Sequence, residues 1–186
     1  MLSIPDILTS LRGISALGAI FLLWVNPENF YMYLLFVFIL AAITDVADGA
    51  IARYINKVSD FGKVFDPLFD KVLVFVFLII LYPTGIISQS LILLLIFRDL
   101  IIDALRSFMS SRGTVIQAIF TAKAKTTTTF MMIISALLEL SGLSYTFPLH
   151  RVTLVLSSLA LIFSYVSAAQ YSVIFLSAYK KFKDRK

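Results

Sequence analysis

The chain has 186 residues, 60% of them hydrophobic, and a mean hydropathy of +0.95. A water-soluble domain of this length has too little interior to hide so much apolar surface, which excludes an ordinary globular protein. Zero cysteines exclude a disulfide framework and a thiolate metal site, and the single His150 excludes a multi-histidine zinc site within one chain. A net charge of +5 would suggest nucleic acid in a soluble protein, but here the basic residues flank apolar runs. Topology and membrane lipids explain them instead, and no nucleic-acid partner is expected.

Residues 13–44 contain one charged side chain, Glu28, and residues 72–97 contain none. Apolar runs of about 20 residues cross a bilayer as helices, and these runs are continuous rather than alternating. The expected fold is therefore an all-α integral membrane protein with six transmembrane helices, at 7–25, 30–54, 62–81, 86–109, 122–140 and 152–179. Breaks fall at Asn26-Pro27-Glu28, around Ser59, at Tyr82-Pro83-Thr84-Gly85, at Ser111-Arg112-Gly113, and across 141–149 with Gly142 and Pro148. One domain covers residues 1–186, with an entry segment at 1–12 and a basic tail at 180–186. No cleavable signal peptide is expected, because no small-residue cleavage site follows the first apolar run.

Loop charge sets the orientation. Segments 26–29 and 82–89 lack Lys and Arg, and 141–151 has only Arg151. The alternate segments hold Arg53, Lys57 and Lys63, then Arg106, Arg112, Lys123 and Lys125, then the tail YKKFKDRK. Positive residues stay in the cytoplasm. Both termini are thus expected there, in a prokaryotic inner (plasma) membrane, with the tail resting on anionic headgroups.

The stretch DVADGAIARYINKVSDFGKVFDPLFDK, residues 45–71, carries five of the chain's 11 acidic residues. Asp45 and Asp48 share a face of the second helix by their spacing of three; Asp66 and Asp70 share a face of the third by their spacing of four. A helical hairpin brings the pairs together at a low-dielectric boundary, where four carboxylates repel one another unless cations intervene. Oxygen ligands without His or Cys select Mg²⁺ or Mn²⁺, and two pairs are enough for two ions, a recurrent device for displacement at phosphorus. Asp66 before Pro67 also fits a simple N-cap, and Asp60 reads as ordinary first-turn charge. Asp45 and Asp48, ending a long apolar helix, have no such alternative. Gly49 and Ala52 permit close approach to the backbone, Arg53 suits a phosphate, and Gly62 serves a tight helix crossing or the loop. Together these residues point to a metal-dependent enzyme acting on a lipidic phosphate ester at the cytoplasmic face.

The same residues resemble the signature of the CDP-alcohol phosphatidyltransferase family: Asp45, Asp48, Gly49, Ala52-Arg53, Gly62, Asp66 and Asp70 occupy its fixed positions. The six-helix outline extends the resemblance over most of the chain. It implies transfer of a phosphatidyl group from CDP-diacylglycerol to an alcohol with release of CMP. By the same resemblance Asp45, Asp48, Asp66 and Asp70 hold two Mg²⁺ or Mn²⁺ ions, and Asp70 is the catalytic base. Gly49, Ala52 and Arg53 would line the donor's cytidine diphosphate pocket, with Ser59 and Gly62 beside them. Pro5, Asp6 and Thr9, in IPDILTSLR, would close over the nucleotide. RDLIIDALRSF (98–108), AKAKTT (122–127) and DPLFDK resemble segments of the phosphatidylglycerophosphate synthases within the family. Arg106, Lys123 and Lys125, supported by Arg98, would then grip the phosphate of glycerol 3-phosphate. Phe69, Asp99 and Ala122 depart from the common pattern. A homodimer is implied by the resemblance alone.

Two other readings compete. A cation transporter would spread its polar residues over several helices, often in inverted repeats; here they bunch at one membrane face. The acceptor could instead be inositol or its phosphate, serine, or phosphatidylglycerol; an uncharged acceptor would leave the Arg106, Lys123 and Lys125 cluster with less to do. Asp103, one turn before Arg106, is expected to pair with it. Thr126–Thr129 are expected to bond within or between helices, and His150 to lie far from the metals.

Overall fold

The computed structural model describes the backbone of residues 4–55, 60–112, 117, 119–143 and 148–183, and the side chains of 10–44, 68–112, 117, 119–143 and 148–180. Six α-helices account for nearly all of it: α1 Ile4–Val25, α2 Phe30–Ile55, α3 Asp60–Leu81, α4 Gln89–Ser110, α5 Phe120–Leu140 and α6 Leu149–Lys183. No strand occurs among the described residues.

The chain reverses direction where the sequence places its turn formers. Asn26 ends α1 in a left-handed conformation, φ 46°, and Phe30 N–H donates to the Pro27 carbonyl at 3.0 Å to start α2. A short 3₁₀ turn, Tyr82–Thr84, follows α3 and ends at Gly85, whose φ of 72° suits a residue without Cβ. Gly142, φ 68°, closes α5 in the left-handed cap common at helix C-termini. Several expected boundaries move by a few residues. The 3₁₀ turn and an extended Ser88 delay α4 to Gln89 rather than 86, and α6 runs on to Lys183 rather than 179.

α1 packs on α2 and α3, α5 lies along α6 and touches α2, and α4 leans on α6. Phe38 of α2 binds the layers, its ring 4.7 Å from Phe77 of α3 and 5.2 Å from Phe130 of α5. Leu34, Leu73, Leu81, Ile92, Met132 and Ile133 complete the buried core around it. A smaller cluster of Ile102, Met109 and Tyr171 joins α4 to α6.

Much of the outside of the bundle is apolar. Leu17, Phe21 and Trp24 on α1, Phe36 and Leu40 on α2, Phe97 and Leu100 on α4, and Ile162, Val173 and Leu176 on α6 are all exposed. Lipid, not water, suits a surface of that kind. Among the described residues, Leu149–Lys180 is long and apolar enough to cross a membrane by composition alone, and Ser10–Val25 and Phe30–Thr44 are shorter apolar helices. α4 is interrupted by Arg98, Asp99, Asp103 and Arg106, which face the interior cavity described next.

Because the helices alternate in direction, the N-terminal ends of α1, α3 and α5 and the C-terminal ends of α2, α4 and α6 share one end of the bundle. Asp45, Asp48, Asp66, Asp70, Arg106, Lys123 and Lys125 all belong to that end. His150 belongs to the other, bonded to Glu139 at 3.1 Å. Glu139 stands 14 residues beyond Lys125 on α5, or about 21 Å along the helix axis.

Candidate functional site

A cavity of about 320 Å³ opens at the polar end between α3, α4, α5 and α6. Asp70 reaches it from α3, Arg98 and Arg106 from α4, Lys123 and Lys125 from α5, and Tyr171 from α6. The expected base and all four expected acceptor-phosphate residues therefore surround one space.

Asp70 is positioned from behind. Arg12, only 1% exposed, forms an ion pair with Asp70 Oδ1. The contact depends on close approach of α1 to α3. A Cβ on Gly13 would stand 3.0 Å from the Phe69 ring, so the glycine makes room for the aromatic residue next to Asp70. Arg12 fixes the carboxylate's orientation and neutralises it at the edge of an apolar interior.

The cations of α4 and α5 are organised by Asp99. Its Oδ1 accepts from Arg98 Nη1 at 2.9 Å, and its Oδ2 pairs with the Lys125 ammonium. Arg98 also donates through Nε to the Ser164 carbonyl at 3.2 Å and through Nη2 to Ser167 Oγ, both on α6. Arg98 thus ties α4 to α6, and through Asp99 both are tied to α5. Lys125 is 6% exposed, and Thr129 Oγ1 donates to its carbonyl at 2.8 Å. The other threonines of the 126–129 run bond back to α5 carbonyls in the same way, as expected.

Nearer the mouth, Arg106 lies over the Tyr171 ring, 5.8 Å from its centroid, a favourable cation–π arrangement. The Tyr171 hydroxyl accepts from the Ile119 N–H at 3.3 Å, which links α6 to the chain entering α5. Asp103 does not take the partner expected for it: it forms an ion pair with Lys71 of α3. Helical spacing favoured Arg106, but α3 lies close enough to supply a lysine across the cavity. Five cationic side chains and three carboxylates line the space, a net formal charge of +2.

The side chains of Pro5, Asp6, Thr9, Asp45, Asp48, Gly49, Ala52, Arg53, Gly62 and Asp66, and Ser59 altogether, lie outside the described residues. Among the described residues no His, Cys, Asp and Glu cluster is large enough to hold a metal. The donor chemistry at this end nevertheless fits a hard cation: Asp70 presents oxygen to the cavity, and the chain's one histidine is engaged at the far end.

Arg12, Lys71, Asp99 and Tyr171 escaped the sequence reading as site residues. For Asp99 a signal existed, because it is a charged residue within an apolar helix, as Arg98 is. For Arg12 and Tyr171 the signal is tertiary.

Residues 2–175 match the family described as CDP-alcohol phosphatidyltransferase. A Cereibacter sphaeroides relative, named CDP-diacylglycerol–glycerol-3-phosphate 3-phosphatidyltransferase, is 37% identical over 129 residues, 67% of this chain and 58% of its own length. A Rickettsia bellii protein of the same name is 35% identical over 67% of this chain and 68% of its own length. Another, from Wigglesworthia glossinidia brevipalpis, is 34% identical over 73% and 77%. The chain thus spans a little over half of the first relative and two thirds to three quarters of the others. The match runs through every helix and takes in both aspartate pairs and the cationic cavity, and the chain belongs to the CDP-alcohol phosphatidyltransferase family.

Proposed function

We propose that this chain transfers a phosphatidyl group from CDP-diacylglycerol to glycerol 3-phosphate, the transfer its relatives are named for, and thereby forms phosphatidylglycerophosphate and CMP. The observation that carries the reading is the cavity in which Asp70 stands opposite Arg98, Arg106, Lys123 and Lys125 with a net charge of +2. A phosphate monoester carries about −1.5 to −2 at neutral pH, which that charge complements. Serine and inositol offer it nothing comparable.

In this reading Asp45, Asp48, Asp66 and Asp70 hold two Mg²⁺ or Mn²⁺ ions. When bound, the ions neutralise the diphosphate of the donor and the departing CMP. Asp70, oriented by Arg12, accepts the proton of the acceptor hydroxyl, whose oxygen attacks the lipid-side phosphorus. Arg106, Lys123 and Lys125 hold the acceptor phosphate so that this hydroxyl faces Asp70. Arg98, with three donors committed to Asp99 and α6, supports the cluster from behind. Gly49, Ala52, Arg53, Ser59 and Gly62 contact the cytidine diphosphate, and Pro5, Asp6 and Thr9 close over it.

The reading places the six helices across the inner membrane, both termini and the cavity facing the cytoplasm. Its support is the gathering of basic residues at one end of the bundle and the apolar sheath around the rest. The deciding experiment is CMP release by purified protein from CDP-diacylglycerol with each acceptor supplied in turn. Glycerol 3-phosphate should stimulate release strongly; stimulation by serine or inositol in its place would refute the assignment.

A further inference from the structure

An acidic side chain lining a phosphate-binding cavity repels the ligand, so each such residue calls for a reason. Asp70 has one as the base, and Asp99 has one in holding Arg98 and Lys125. Asp103 has neither. Its ion pair with Lys71 is about one-third exposed on both sides, and such pairs add little to helix packing.

Its position supplies the reason. Lys71 follows Asp70 directly on α3, and Asp103 precedes Arg106 by one turn on α4, so their ion pair bridges the cavity between the base and a phosphate-holding cation. Because Asp70, Lys71, Asp103, Arg106, Lys123 and Lys125 all line this one cavity, an acceptor with its reacting hydroxyl at Asp70 and its phosphate at Arg106, Lys123 and Lys125 would run past that pair with its middle carbon. The pair offers a hydroxyl both functions it can use: the carboxylate accepts its hydrogen, and the ammonium donates to its oxygen.

Resting on the acceptor reading above, we infer that Asp103, held by Lys71, recognises the middle hydroxyl of the acceptor and selects three-carbon phosphates bearing vicinal hydroxyls. A substrate lacking that hydroxyl leaves the carboxylate facing a methylene, with repulsion toward the phosphate uncompensated. Sites built to bond a hydroxyl reject analogues without it.

The test compares glycerol 3-phosphate with 3-hydroxypropyl phosphate, which keeps the phosphate, chain length and reacting hydroxyl but lacks the middle one. CMP release from CDP-diacylglycerol is measured with the full chain and with Asp103→Ala and Asp103→Asn. The unsubstituted chain should favour glycerol 3-phosphate by roughly tenfold or more in kcat/KM, the effect of one hydrogen bond to a charged group. Asp103→Ala should bring the ratio near unity, by slowing glycerol 3-phosphate and by relieving the analogue of the carboxylate's repulsion, and Asp103→Asn should keep part of the preference through its amide oxygen. A ratio unchanged in Asp103→Ala overturns the inference. So does a ratio near unity in the unsubstituted chain, which needs no variant to fold. Absence of CMP release with both acceptors overturns the acceptor reading itself.

Discussion

Asp99→Ala isolates the network that aims the cations. Asp99 is 12% exposed at its side chain, and its partners Arg98 and Lys125 are 15% and 7% exposed, so solvent screens the charges weakly. Arg98 keeps Ser164 and Ser167 when the carboxylate is removed, whereas Lys125 is left as a buried ammonium without the carboxylate that compensates it. Removing one member of a buried pair costs about 3–5 kcal/mol. By the scaling for chains of this size, that lowers the melting temperature by roughly 6–20 °C. The loss of an aimed charge in the acceptor site adds a separate effect. One charge-assisted hydrogen bond, about 1.5–3 kcal/mol, corresponds to roughly a 10- to 150-fold fall in acceptor kcat/KM. The assay pairs thermal denaturation in detergent with CMP release at varied acceptor and donor. Lys125→Met added to Asp99→Ala should recover much of the lost stability, because no buried charge remains, yet leave acceptor use impaired. A double variant no more stable than Asp99→Ala, or a KM for CDP-diacylglycerol raised as much as that for the acceptor, would refute the reasoning.

Arg106→Ala should raise the acceptor KM at least tenfold while changing the donor KM little; equal effects on both would mark a structural arginine that packs on Tyr171. Asp70→Asn should keep donor binding and much of the metal binding while abolishing turnover, and substantial residual turnover would remove Asp70 as the base. Gly13→Ala should loosen the α1–α3 contact at Phe69 and slow turnover without a change in acceptor preference; full activity would show that the Arg12–Asp70 pair tolerates the shift.

The helices were legible because continuous apolar runs and Gly, Pro and Asn punctuation are local signals. Gly85 and Gly142 stand in the left-handed conformations that turns at those positions require. The start of α4 was not legible, since nothing in Ile86-Ile87-Ser88 distinguishes a 3₁₀ exit from another helical turn. At the site, spacing and family resemblance singled out Asp70, Arg98, Arg106, Lys123 and Lys125, and the fold gathers all five. Their pairing was not legible. Spacing rules see only neighbours on the same helix, so Asp103 was matched with Arg106 when its partner comes from α3. The role of Arg12 was not legible, because only the crossing of α1 on α3 turns it toward Asp70.

The central claim is tested most directly by following labelled glycerol 3-phosphate into lipid with the purified chain and CDP-diacylglycerol, before and after exhaustive chelation. The account predicts labelled phosphatidylglycerophosphate and CMP in equal amounts, their loss on chelation, and their return with added Mg²⁺ or Mn²⁺. Transfer that continues unimpaired without divalent ions, or label that never enters lipid when both substrates and metal are supplied, would contradict it.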